Sequence, residues 1–81
     1  MQTEDFIGTV VLFPFDRVPS GWMACEGQLL AISAFQALFS LVGTKFGGDG
    51  RTTFAIPDLK GKAPEGLRYF IALEGLYPST S

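Results

Sequence analysis

The chain opens its patterned part with FIGTVVLF, Phe6 to Phe13, in which both alternating faces are largely apolar. β-branched and aromatic residues in such a run predict a strand covered on two sides, by the chain's own core or by another subunit. PFDRVPSG predicts a loop, because its two prolines give no ladder donor and Ser20-Gly21 suits a turn. WMACEGQLLAI predicts two short strands about a turn at Glu26-Gly27, with Trp22, Ala24 and Leu29 on one buried face. The period then changes. Phe35, Leu38, Phe39 and Val42 fall at helical spacing, Ser33 and Gln36 fit a capping box, and Gly43 supplies a stop. This predicts a helix over about Ala34 to Val42, docked on the sheet by its aromatic side. A glycine-rich loop leads to a short strand, TTFAI, closed by Pro57-Asp58. After the polar LKGKAPEG loop comes a last strand, LRYFIAL (Leu67 to Leu73), and a tail, EGLYPSTS. The reading is an α+β domain: a small, mostly antiparallel set of strands with one short helix.

Composition sharpens this picture. At 81 residues one domain is expected, with 67–81 joining the unit formed by 1–66. A domain of that size buries only about 60% of its unfolded surface. Yet 47% of the residues are hydrophobic and 14% aromatic. One cysteine rules out an internal disulfide, and without histidine an ordinary zinc site has too few ligands. Association with other copies is the remaining way to stabilise so small a scaffold. The net charge of −2, with six scattered basic residues, gives no footprint for nucleic acid. The acidic start, followed by a short apolar run, matches neither a secretory signal nor a membrane span. Synthesis in the cytoplasm without a signal peptide is the expectation.

The stretch GGDGRTTFAIPDL invites a chemical reading. A Walker loop needs Gly-Lys-Ser/Thr before a helix, a dinucleotide loop lies between strand and helix, and an EF-hand needs many more oxygen ligands. None of these fits. An architectural loop does: Gly47, Gly48 and Gly50 supply positive φ angles, Asp49 accepts backbone amides, and the fork of Arg51 has Asp58 or Asp49 as a partner. Cys25 has no histidine to work with and reads as a small buried hydrophobe. Glu26, Asp49 and Asp58 are not brought together by local spacing. No catalytic residue, cofactor or metal is therefore expected. Trp22, Tyr69, Phe70 and Tyr77 could stack on sugar, but Trp22 reads better as a core plug beside the helix. The last strand has more apolar surface than one small core can hold. The expected subunit interface is accordingly Phe6, Ile7, Val10 and Val11 together with Tyr69, Phe70, Ile71, Leu73, Leu76 and Tyr77.

Residues 21–64, GWMACEGQLLAISAFQALFSLVGTKFGGDGRTTFAIPDLKGKAP, resemble the phage tail collar domain of short tail fibres and microcystin-dependent proteins. The resemblance rests on Gly21-Trp22, Cys25, Gly27-Gln28, Ser33, Ala37-Leu38-Phe39, Gly43-Thr44, Gly47 to Gly50, Thr52-Thr53-Phe54, Pro57-Asp58-Leu59 and Gly61. The ending LRYFIALEGLYPSTS is similar to the C-terminus of the microcystin-dependent proteins, joined here without their Gly/Ser/Thr-rich middle. The resemblance implies a structural protein of a phage tail or related contractile particle, homotrimeric in the first instance, with a ring or filament as alternatives. Other tail, fibre or baseplate proteins are the implied partners. The metal-binding histidines of the distal part of short tail fibres have no counterpart. A small glycan-binding module, using exposed aromatics and the Asp49 loop on cell-surface sugars, is the alternative reading.

Overall fold

A computed structural model describes residues 5–14 and 16–78. Met1 to Glu4, part of the acidic start, and the last three tail residues lie outside that range. The elements are β1 (Val10–Phe13), β2 (Trp22–Ala24), β3 (Leu29–Ala31), a 3-10 turn (Ile32–Ala34), α1 (Gln36–Val42), β4 (Thr53–Ala55) and β5 (Arg68–Ala72). They form one three-stranded antiparallel sheet in the order β1-β5-β2 and one antiparallel pair, β3-β4. The α+β expectation holds.

The last strand is the centre of the larger sheet, which explains why both its faces are apolar. Ile71 faces a cluster with Ile7, Cys25, Leu30, Leu38, Phe54 and Ile56, against which Phe35 and, from α1, Phe39 and Val42 pack. Phe70 and Ala72 face the other side, where Trp22 and Ala24 are buried with Val11 and Phe13 against them. Phe13 meets Trp22 edge-on at 5.3 Å and Phe70 at 5.4 Å, geometries that suit aromatic quadrupoles. Trp22 is thus a core residue, but on the face away from the helix rather than beside it.

Three further expectations are corrected. β2 and β3 do not form a hairpin about Glu26-Gly27. β2 pairs with β5 and β3 with β4, so the segment between them crosses from one sheet to the other. Leu29 consequently leaves the face of Trp22 and Ala24 and is 63% exposed, while Leu30 is buried. Ser33 does not cap α1. It sits inside the 3-10 turn, and the N-cap position is Phe35, which makes no side-chain capping bond. The apolar side chain of Phe35 packs on the core, so burial rather than capping fixes where the helix begins. At the other end Gly43 acts as foreseen, its N–H bonding the Phe39 carbonyl.

Phe6 to Phe13 is not one strand. Gly8 and Thr9 both stand opposite Ala72: the Gly8 N–H bonds Ala72 O at 2.9 Å and the Ala72 N–H bonds Thr9 O at 2.9 Å. With Gly8 at φ 87° this is a β-bulge headed by a glycine. Beyond it Ile7 donates to Leu76 O and Leu76 to Asp5 O, so the two ends of the domain are paired.

Candidate functional site: the glycine-rich loop and the exposed apolar rim

The loop between α1 and β4 closes around the carboxylate of Asp49. Oδ1 accepts the backbone N–H groups of Arg51, Thr52 and Thr53 at 2.8, 2.9 and 3.0 Å, and Oδ2 accepts the Thr52 hydroxyl at 3.0 Å. These donors hold the carboxyl well below the usual carboxylate range. The loop is sewn to β4 by Ala55 N–H to Gly47 O and Gly50 N–H to Thr53 O. At Gly48, φ 95°, a Cβ would overlap the Phe54 backbone and lie 2.7 Å from Thr53 O, so only glycine fits. The loop is a fixed clasp on the strand, and its anion serves its own amides.

Arg51 enters this network through its main chain, and the expected fork onto Asp58 or Asp49 is not formed. Among the described residues the guanidinium that pairs with a carboxylate is that of Arg68, 2.8 Å from Glu26 Oε2. Asp58 accepts the Lys60 N–H. The backbones of Glu26 and Asp58 form an isolated bridge, a tertiary approach of two acidic residues that local spacing did not reveal. Each carboxylate accepts a donor from the chain itself, Glu26 from the Arg68 guanidinium and Asp58 from the Lys60 amide. Cys25 is 2% exposed, and burial pushes its thiol up to about 11, which leaves it an unreactive neutral group at ordinary pH. It lines a small cavity of about 70 Å³ with Leu59, Leu67 and Tyr69, far below the roughly 300–1,000 Å³ of small-molecule sites. Among the described residues there is no cluster of three or more metal-ligating side chains, and no helix is long and apolar enough to cross a membrane.

The residues expected at a subunit interface divide into two sets. Ile7, Phe70 and Ile71 belong to the chain's own core, Val11 is partly buried against the second cluster, and Tyr69 and Leu73 are partly buried against the first. Phe6, Val10, Leu76 and Tyr77 remain at the surface, together with Leu12. Phe6 bridges Leu76, and the Tyr77 hydroxyl reaches the hydroxyl of Ser40 on α1. The paired chain ends thus hold three large apolar side chains in solvent beside the helix. Sequence reasoning missed Leu12. The all-apolar run VVLF gives no signal for it; the alternate exposure along β1 appears only once the strand stands at a sheet edge.

No curated protein matches the chain. The sequence pattern of the phage tail collar domain, a structural family of phage tails, matches residues 8–64, from the bulge glycine through the polar loop before β5. That span holds the clasp, the helix and every strand but β5, and on it the chain belongs to the phage tail collar domain family.

Proposed function

We propose that this chain is a structural collar or fibre module of a phage tail or a phage-tail-like contractile particle, and that it acts by associating with copies of itself, trimers being the first expectation. The observation that carries the reading is the exposed apolar rim of Phe6, Leu76 and Tyr77 on the paired chain ends. So small a domain leaves such side chains in solvent when another subunit covers them. Its place in the virion and its contacts with other tail, fibre or baseplate proteins follow from the same reading. Packing does the work: the clasp keeps one surface rigid while apolar side chains associate.

Light scattering over a range of concentrations tests this. The expected mass is a fixed multiple of the 8.8 kDa chain, reduced by Leu76→Asp or Tyr77→Asp in proteins that keep the wild-type circular dichroism. A monomer at every concentration overturns the self-association. Charges placed at Phe70 or Ile71 would report core loss instead, since both side chains are buried. The glycan-binding alternative loses its main carriers, because Trp22 lies in the core and the Asp49 carboxylate is bonded to its own loop.

A further inference from the structure

The outer edge of β1 carries backbone groups that its own sheet does not use. The bond from Ala72 N–H to Thr9 O fixes the phase of the ladder, so Thr9, Val11 and Phe13 face β5 while Val10 and Leu12 face away. Among the described residues nothing bonds these outward groups of Val10 and Leu12. The two side chains share a face and are 39% and 38% exposed. Natural edge strands are usually guarded by shortness, a lysine, a proline, a bulge or a covering loop, and β1 is short, four residues set between the bulge at Gly8 and Pro14. The four residues of β1, Val-Val-Leu-Phe, have no charge and no proline.

We propose that this edge is a two-fold self-association surface, on which β1 of one copy pairs antiparallel with β1 of a second copy about an axis through Val11. The inference rests on the self-association proposed above and assigns it a contact. The register follows from the outward groups. Setting Val10 opposite Leu12 of the second copy makes four N–H···O bonds and puts two exposed apolar side chains against each other, twice. Slipping two residues one way brings Pro14, which has no N–H, into the ladder. Slipping the other way brings in the bulge at Gly8. Only the pairing centred on Val11 uses every outward donor and acceptor. The strand is thus complementary to itself, and a self-complementary surface closes after two copies. The result is a continuous six-stranded sheet. If the chain-end rim builds a trimer, the β1 contact joins two trimers into a hexamer.

The test is solution mass by light scattering, with circular dichroism as the check on folding. The wild type is expected to be a dimer or hexamer. Leu12→Pro removes an outward N–H and none that β5 uses, which an edge strand tolerates, takes away the Leu12 side chain from the contact as well, and should halve that mass. Val10→Lys should weaken association by about tenfold or more, the effect of a charge guarding an edge. It also decides the matter if the proline variant does not fold. The double variant Val10→Lys/Leu12→Glu sets opposite charges across the axis and should regain association, in a way that added salt weakens. A wild-type trimer, or folded single variants with the wild-type mass, would overturn the two-fold contact and leave the proposed function standing. A double variant no better associated than Val10→Lys would overturn the register. A wild-type monomer at all concentrations overturns both.

Discussion

Asp49 shows how one side chain can fix a loop. Its ionised form accepts three backbone amides and a hydroxyl, so its pKa is lower folded than unfolded. The folded state therefore binds fewer protons here. This contribution to stability is complete above the ordinary aspartate value, about 3.9, and is lost as pH falls below it through the depressed folded value. Thermal melts between neutral pH and strong acid should show Asp49→Asn lowering the midpoint at neutral pH, with the difference from wild type narrowing in acid. Equal melting at every pH would mean the clasp holds without the charge. Cys25 has the opposite sign. Its folded thiol keeps its proton up to about 11 against an ordinary value of 9.0, so stability falls as pH rises between those values. At neutral pH a chromogenic disulfide should label Cys25 only as fast as the protein opens. Labelling at the rate of a free thiol would contradict its burial.

At the scale of elements, α1 was legible because its apolar stripe repeats at helical spacing, and Leu38, Phe39 and Val42 do face the core. Its start was misread because Ser33 and Gln36 spell a capping box, whereas Ser33 lies inside the 3-10 turn and Gln36 is the first residue of α1. Two denaturation measurements separate the accounts. Ser33→Ala should cost less than about 0.5 kcal/mol, the scale of an ordinary exposed site, where a true cap would cost about 1 kcal/mol. Leu38→Ala, removing a side chain with no exposure, should cost about 2–5 kcal/mol. The strand pairs were less legible than the strands. Glu26-Gly27 is sound turn chemistry, yet β2 and β3 each find a better partner far along the chain. A local pattern carries the propensity of a segment to be extended, whereas the choice of neighbour depends on which faces can be buried together.

At the scale of the whole molecule, the apolar excess was visible in the composition but its destination was not. Two apolar faces on the last strand suggested a subunit interface. The order β1-β5-β2 places that strand centrally and gives each face a cluster within the same chain. Of the large apolar side chains that stay outside, Val10 and Leu12 lie on the β1 edge and Phe6, Leu76 and Tyr77 on the paired ends, with Val18, Leu29, Leu41 and Phe46 elsewhere on the surface. The pairing of the ends depends on Gly75. It stands at φ 142°, and a Cβ there would overlap the Asp5 carbonyl, the group that accepts the Leu76 N–H. Gly75→Val should therefore open the bonds from Leu76 N–H to Asp5 O and from Ile7 N–H to Leu76 O. The bulge bonds at Ala72 and the sheet beyond should persist, because they belong to the antiparallel β1-β5 pairing, whereas Phe6 and Leu76 meet in a separate parallel bridge. Hydrogen exchange of single amides distinguishes the two zones: Ile7 and Leu76 should lose protection in the variant while Phe70 keeps it. The same variant should also weaken self-association through Phe6 and Leu76, since the pairing no longer holds those side chains together. Uniform loss of protection across both zones would mean instead that the closed ends hold up the whole fold, and that the rim cannot be changed apart from the core.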